Sequence, residues 1–177
     1  MQTEYEIRVL EVNKEKMIKR LEELGAEKIG EFNQKRYVYN TKPEHPSRWI
    51  RLRTNGIITT LTYKDVKKNT IDGTKELEFE VGDFETANEF LEIIGYKNKG
   101  YQENNRIQYK LNGIEIDIDT WPMIPTYMEI EGNAEEEVFE IIELLQVDKE
   151  KVTALNCKDI YQKIYNINID EIKELKF

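Results

Sequence analysis

The sequence predicts an α+β fold in which an eight-stranded antiparallel β-barrel has a charged lumen and helices packed on the outside. Three observations lead to this prediction. Charged and apolar residues alternate in almost every strand, three amphipathic helices need an apolar surface to cover, and two parts of the chain 70 residues apart resemble each other weakly. The length of 177 residues suits one core, so residues 1–177 are expected to form a single domain.

The first strand, residues 4–9, shows the pattern that the later strands repeat. Successive side chains of an extended strand point to opposite faces, so Glu4, Glu6 and Arg8 share one face and the residues between them share the other. Asn112-Gly113 is a strong hairpin signal between two of the later strands. The later strands are expected at residues 34–40, 49–53, 58–64, 75–81, 105–111, 114–120 and 127–131.

Two amphipathic helices are predicted at residues 14–25 and 84–96. Asn13 is a suitable N-cap for the first, and Gly25 ends it. Apolar residues recur at helical spacing in both segments, so each helix has one stripe to bury.

A third helix is expected to begin with a capping box formed by Asn133 and Glu136 and to run to Leu145. The tail, residues 148–177, is expected to form short helices that pack on the barrel. It shows no linker composition, which favours its inclusion in the same domain.

The weak internal similarity pairs Gly25 with Gly95 and Arg36 with Arg106. One interpretation is a duplication in which each half contains one strand, one helix and three more strands. Two halves then give eight strands, about the number at which a small barrel can hold one ligand. The alternative is chance similarity between two amphipathic helices.

Composition excludes several classes of protein. The net charge of −9 disfavours extended nucleic acid as a partner. No apolar segment is long enough to cross a membrane and the N-terminus does not resemble a signal peptide, so no membrane association and a cytoplasmic location are expected. One cysteine, Cys157, and one histidine, His45, argue against a disulfide and against a cysteine or histidine metal site.

One face of the predicted strands collects charges of both signs. An open antiparallel sheet with one solvated face would give the same alternation. We favour a closed lumen because the helices account for the apolar face, and because few Ser, Thr, Asn or Gln residues dilute the charged one. Its carboxylates are Glu4, Glu6, Glu76, Glu78, Glu80, Glu115, Asp117, Asp119, Glu129 and Glu131, and its cations are Arg8, Arg51, Arg53, Lys64, Arg106 and Lys110.

The chemistry of these residues indicates a metal–polyphosphate ligand. Guanidinium and ammonium groups suit phosphate oxygens, and carboxylates suit Mg²⁺ or Mn²⁺. No Gly-rich phosphate loop is present, so side chains must bind the phosphates. The expected phosphate ligands are Arg51, Arg53, Lys64 and Arg106, with Arg8 and Lys110 in reserve; the expected metal ligands are Glu4, Glu6, Glu129 and Glu131, with Asp117 or Asp119.

The ordered set of motifs resembles the CYTH superfamily, also called triphosphate tunnel metalloenzymes. These motifs are Glu4-x-Glu6-x-Arg8, Trp49-Ile-Arg51-Leu-Arg53, Thr62-Tyr-Lys64, Glu76-Leu-Glu78-Phe-Glu80, Arg106, Asp119 and Glu129-Ile-Glu131. The resemblance implies an eight-stranded antiparallel tunnel, a divalent metal and a small-molecule triphosphate substrate. It also implies that Lys158 and Tyr161 belong to a C-terminal helix that closes one mouth, with Lys158 as a further phosphate ligand. Arg8 stands where the family usually has lysine.

Three functions remain open. A phosphohydrolase is favoured slightly over a class IV adenylyl cyclase, because the sequence shows no distinctive cluster for reading a base. The third is a binding module without turnover. Glu6, Lys64 and Arg53 are the candidate catalytic residues. Trp49 and Trp121 are expected to pack rather than to stack on a ligand, and a homodimer is compatible with the sequence.

Overall fold

The computed structural model describes residues Met1–Phe177 and confirms a closed, eight-stranded antiparallel barrel. The strands are β1 (Gln2–Val9), β2 (Glu27–Asn40), β3 (Arg48–Thr54), β4 (Thr59–Val66), β5 (Thr74–Val81), β6 (Asn98–Leu111), β7 (Ile114–Thr120) and β8 (Tyr127–Gly132). Their order around the barrel is β6-β2-β3-β4-β5-β1-β8-β7, and pairing between β7 and β6 closes the ring. The Asn112-Gly113 hairpin joins β6 to β7 as predicted, with both turn residues at positive φ.

Strands β2 and β6 are twice as long as predicted, with 14 residues each. They pair with each other from Glu27 and Lys110 to Tyr39 and Asn98, with two register shifts. Their first halves carry polar and charged residues that break the alternation between apolar and charged positions. Strand prediction that relies on alternation therefore detects only their second halves.

Three helices pack on parts of the apolar outer wall: α1 (Lys14–Glu23), α2 (Phe84–Ile93) and α3 (Glu135–Leu145). Helix α1 starts where predicted, because the Asn13 side chain accepts a hydrogen bond from the Lys16 backbone N–H at 2.8 Å. Helix α3 packs on β8, β1 and β7, and α1 packs on α3. Helix α2 packs on β3, where Leu52 and Leu91 belong to one buried cluster. None of the helices combines the length and apolar character needed to span a lipid bilayer.

The capping box predicted for α3 is wrong. The N-cap is Ala134, and its side chain makes no capping hydrogen bond. The helix begins at Glu135, so the third helical residue is Glu137 rather than Glu136. The Glu137 carboxylate accepts a hydrogen bond from the Asn133 backbone N–H at 3.1 Å. Only one of the two hydrogen bonds of a capping box is therefore present, and it involves Glu137 instead of Glu136.

The C-terminal residues lie against the barrel through elements that the sequence only partly indicated. Helix α4 (Cys157–Asp159) continues as a π-helical turn at Ile160–Ile164, in line with the predicted short helices. Two short strands were not predicted: β9 (Val152–Thr153), which pairs with β1, and β10 (Glu174–Leu175), which pairs with β6. These pairings hold α4 and the segment after it at one mouth of the lumen.

Candidate functional site

The lumen forms a cavity of about 870 Å³. The alternation of side chains in the strands places most of the predicted charged residues on its wall. Both signs of charge are represented, and α4 contributes at the mouth. The predicted residues that line the cavity are Glu4, Glu6, Arg8, Arg51, Arg53, Lys64, Glu76, Glu78, Arg106, Glu115, Asp119, Glu129, Glu131 and Lys158.

Four predicted residues do not line this cavity. Lys110 and Glu80 are exposed. Each lies at the end of its strand, Lys110 just before the Asn112-Gly113 turn, so the tilt of the strands carries it past the lumen. Asp117 is buried behind Arg106, with which it forms an ion pair. Tyr161 is a packing residue, because it is fully buried and its hydroxyl donates to the Pro122 carbonyl oxygen at 2.6 Å.

Arg106 is enclosed by three carboxylates. Its Nε donates to Asp119 Oδ1 at 2.8 Å, and its Nη2 lies 2.6 Å from both Asp119 Oδ2 and Glu129 Oε2. Its Nη1 pairs with Asp117. The guanidinium therefore serves as the counter-ion of a buried acidic cluster. The phosphate contact predicted for Arg106 would have to compete with these carboxylates.

Arg8 is held in a similar way on the opposite side of Glu129. Its Nε donates to Glu129 Oε1 at 2.7 Å, its Nη2 to Glu6 Oε1 at 2.6 Å and its Nη1 to the Leu155 carbonyl oxygen at 2.9 Å. Burial alone would raise the pKa of Glu129, but the guanidinium groups of Arg8 and Arg106 outweigh it and hold that pKa well below its usual range. Glu129 therefore carries its negative charge.

Lys64 bridges two carboxylates on neighbouring strands. Its Nζ lies 2.9 Å from Glu4 Oε1 and 2.8 Å from Glu76 Oε2. The pKa values of these two carboxyl groups shift in opposite directions. Burial raises the pKa of Glu4 to about 8 although Lys64 acts against it. Burial also acts on Glu76, but Lys64 and Arg51 outweigh it and lower the pKa of Glu76 to about 2.

Arg51 and Arg53 of β3 form longer ion pairs than Arg8 and Arg106 do. Arg51 Nη2 donates to Glu78 Oε2 at 3.1 Å and to Thr62 Oγ1 at 3.3 Å, and it lies 3.7 Å from Glu76 Oε2. Its Nε is buried within the protein and has no hydrogen-bond partner. Arg53 makes only one long ion pair, with 3.7 Å between its Nη2 and Glu78 Oε2. Burial and the neighbouring Arg51 lower the pKa of Arg53 to about 9. Arg53 therefore has donors left for an anion that the protein does not supply.

On the opposite wall, carboxylates lie next to one another and one of them lacks a cationic partner. The register pairs Glu6 with Glu131, and Glu131 with Glu115. No lysine or arginine lies in ion-pair range of Glu131, and burial, followed by the charge of Glu6, raises its pKa to about 7. Strands β3 and β8 are separated by three strands in either direction around the ring, so the arginines of β3 face this wall across the lumen.

The donor chemistry of this wall fits a hard divalent cation. Glu4, Glu6 and Glu131 offer carboxylate oxygens, the ligands that Mg²⁺ and Mn²⁺ prefer. A divalent cation would also offset the repulsion that raises the pKa of Glu131. No three histidine, cysteine or acidic side chains converge at metal-binding distance as they stand. Metal binding would therefore require at least one carboxylate to leave Lys64 or Arg8.

The pKa of Glu131 leads to a prediction about pH. The folded-state pKa of about 7 exceeds the ordinary value of 4.5, so the folded protein binds more protons than the unfolded chain between them. The free energy of unfolding of the metal-free protein should therefore fall as pH rises from about 5 to about 8, with a contribution from Glu131 on the order of 3 kcal/mol. Urea unfolding across this range measures it. Glu131→Gln should reduce the slope without abolishing it, because the raised pKa of Glu4 contributes a slope of the same sign. An unchanged slope would contradict the assigned burial of the Glu131 charge.

Residues of the lumen that were missed as site residues include an arginine and a tryptophan of the barrel strands. Arg36 and Trp49 both line the cavity. Trp49 shares its strand face with Arg51, and Arg36 pairs in register with Arg53. Alternation within each strand contained this signal, and Arg36 also corresponds to Arg106 in the weak internal similarity. The expectation for Trp121 holds only in part: it is buried and packs edge-to-face on Tyr161, but it also carries Arg36, whose guanidinium carbon lies 4.5 Å from the ring centroid.

Comparisons with known proteins agree with this fold. A Pyrococcus furiosus protein of no assigned function is 24% identical, with a TM-score of 0.77 over 88% of this chain and 98% of its own. A Pyrococcus horikoshii OT3 protein is 26% identical, with a TM-score of 0.74 over 88% of this chain and 96% of its own. A Hippeastrum protein, described as a candidate adenylyl cyclase with a dominant triphosphatase activity, is 17% identical, with a TM-score of 0.61 over 94% of this chain and 97% of its own.

A comparison with curated proteins finds no match. The CYTH domain, by contrast, matches residues 2–155, which include all eight barrel strands and the three helices on the outer wall. The chain therefore belongs to the CYTH domain family.

Proposed function

We propose that this protein is a divalent-metal-dependent phosphohydrolase that binds a small-molecule triphosphate in the barrel lumen and releases phosphate. The observation that carries the proposal is that weakly paired arginines and an unpaired carboxylate lie on opposite walls of the lumen. The ion pairs of Arg51 and Arg53 on β3 are all 3.1 Å or longer, and Arg53 has only one. These arginines face carboxylates on β8 and β1, of which Glu131 has no cationic partner. A triphosphate with its metal ion supplies the missing charge on both sides at once.

Each wall then has a distinct task. Arg51, Arg53 and Lys64 bind and orient phosphate oxygens, which places the terminal phosphorus and stabilises charge on its oxygens. Glu4, Glu6 and Glu131 hold the metal, with Glu129 and Asp119 nearby. When bound, the metal neutralises phosphate charge and polarises the phosphoryl group.

Glu6 is the candidate for orienting the attacking water. Burial raises its pKa, with Arg8 acting in the opposite direction. A carboxylate with a raised pKa is better suited to accept a proton from water. The Hippeastrum protein of the same fold is described as having a dominant triphosphatase activity, the activity proposed for this chain.

Cyclisation of a nucleoside triphosphate is the second candidate, and one observation favours it. Trp49 lines the cavity near Val38 and Val66, where an aromatic base could stack. Hydrolysis is preferred because the charges with the weakest pairing, on Arg53 and Glu131, are those that a triphosphate and its metal would satisfy whatever group the triphosphate carries. Hydrolysis also requires only the charged part of the lumen.

The products decide between these reactions. The protein should be incubated with tripolyphosphate, ATP or thiamine triphosphate in the presence of Mg²⁺ or Mn²⁺. Release of inorganic phosphate as the main product is expected. Cyclic AMP with pyrophosphate as the main products from ATP would contradict hydrolysis, and tight binding without any product would favour a binding module.

The cationic wall can be tested by binding. Arg53→Ala should weaken the dissociation constant for tripolyphosphate by at least roughly tenfold, since a charge-assisted hydrogen bond is lost. The control is Arg20→Ala on α1, where the guanidinium donates to the Leu144 carbonyl oxygen outside the lumen. Calorimetric titration measures both variants. Equal effects of the two substitutions would remove the case for phosphate binding by β3.

A further inference from the structure

Arg36 is a buried cation without a counter-ion. Its residue is 7% exposed, and it lines the main cavity from β2. Its Nη2 donates to two neutral amide oxygens, Gln34 Oε1 at 3.0 Å and Asn104 Oδ1. Its Nε is buried and has no partner, and no carboxylate lies in ion-pair range.

The other fully enclosed arginines of the lumen differ from Arg36 in this respect. Arg8 is paired with two carboxylates and Arg106 with three. A charge removed from water without a counter-ion is costly, and natural proteins retain such charges mainly where a partner arrives. Burial, followed by the charge of Arg51, lowers the pKa of Arg36 to about 10, in line with that cost.

The surroundings hold the guanidinium in one orientation. The Trp121 ring supports one face, with 4.5 Å from the guanidinium carbon to the ring centroid. Gln34 and Asn104 fix Nη2, and Asn104 is itself positioned by donating from Nδ2 to Asp119 Oδ1 at 3.2 Å. Nη1 makes no hydrogen bond and keeps its donors for another acceptor, whereas Nε is buried within the protein. A pre-oriented guanidinium with free donors beside a cavity is suited to a phosphate oxygen.

We propose that Arg36 is a phosphate-binding residue that extends the cationic wall of β3 onto β2. Its ligand is an anionic phosphate group of the substrate, which supplies the counter-ion that the protein lacks. Arg36 pairs in register with Arg53, so their side chains present neighbouring donors to the lumen. The inference rests on the proposed function, because it requires a triphosphate in the lumen.

A structural role for Arg36 makes the opposite predictions. If the arginine only bridges Gln34, Asn104 and Trp121, its removal should destabilise the fold and leave phosphate binding unchanged. If it waits for an anion, its neutralisation should relieve a buried charge. The protein without ligand should then be at least as stable, while phosphate binding weakens.

The test combines binding with thermal unfolding. Arg36→Gln keeps a polar side chain and removes the charge, whereas Arg36→Lys keeps the charge and removes the paired N–H donors of the guanidinium. The control, Lys35→Gln, removes the neighbouring exposed charge on the other face of the strand. Titrating inorganic tripolyphosphate in the presence of Mg²⁺ should show a dissociation constant weakened roughly 10- to 100-fold for Arg36→Gln, with a smaller loss for Arg36→Lys. Lys35→Gln should bind like the natural protein.

The melting temperature without ligand should not fall in Arg36→Gln. A lower melting temperature with unchanged binding would overturn the inference, as would unchanged binding with an unchanged melting temperature. Both results leave the proposed function intact as long as the natural protein binds tripolyphosphate. Failure of the natural protein to bind it would overturn the proposed function and this inference together.

Discussion

Replacing Glu6 by glutamine should lower the turnover number for tripolyphosphate by roughly 100-fold or more, since a group that orients the attacking water contributes at least this much. Glutamine keeps an oxygen that can accept the hydrogen bond from Arg8 Nη2, which lies 2.6 Å from Glu6 Oε1 in the natural protein. It removes the negative charge that holds the metal and accepts a proton from water. The fold should survive, because Glu6 is also repelled by Glu129.

Steady-state kinetics with Mg²⁺ or Mn²⁺ measures this effect. Glu80→Gln is the matched control. Glu80 has the same charge as Glu6 and also lies on the charged face of its strand, but it is outside the main cavity. Its turnover should equal that of the natural protein. Retention of full turnover by Glu6→Gln would contradict the role of Glu6. A binding module would instead show no turnover in any variant and similar affinity in all.

Arg106→Met should lower the free energy of unfolding by about 3 to 5 kcal/mol, because it leaves Asp117 and Asp119 without a counter-ion and Glu129 with Arg8 alone. Asp117, Asp119 and Glu129 all pair with this guanidinium. The loss should be smaller at low pH, where the carboxylates take up protons in the variant and no longer repel each other.

Urea unfolding of the metal-free protein measures this loss, with Arg53→Met as the control. Arg53 is also buried in the lumen but has only one ion pair, at 3.7 Å from Glu78. Its replacement should cost little stability. Equal losses for the two variants would contradict the division of the lumen arginines into structural counter-ions and anion ligands.

Alternation within single strands, together with the amphipathic helices and the resemblance to the CYTH superfamily, predicted the barrel and most of the charged residues that line its lumen. The pattern is informative because a closed barrel has an inside and an outside, and every second residue must belong to one of them. Alternation along the strands also places Arg36 and Trp49 inside the barrel, although neither was recognised as a site residue. Both lie on the charged face of their strands.

Which charges pair with which could not be predicted from the sequence. Pairing depends on strand order, tilt and register, and these come from contacts between residues far apart in the chain. Arg106 and Glu129 are brought together through β7, and Arg8 reaches the Leu155 carbonyl oxygen through the folding of the tail. The exclusion of Lys110 and Glu80 from the cavity has the same origin, because it depends on where the tilted strands leave the lumen.

The central claim is that a metal-bound triphosphate lies inside the charged barrel, between the arginines of β3 and the carboxylates of β1 and β8. A crystal structure with tripolyphosphate and Mn²⁺, with anomalous scattering recorded at the manganese edge, tests it most directly. We expect a manganese peak beside Glu4, Glu6 or Glu131, and phosphate density in contact with Arg51 and Arg53. An empty lumen at saturating ligand, or triphosphate bound on the outer surface, would contradict the account.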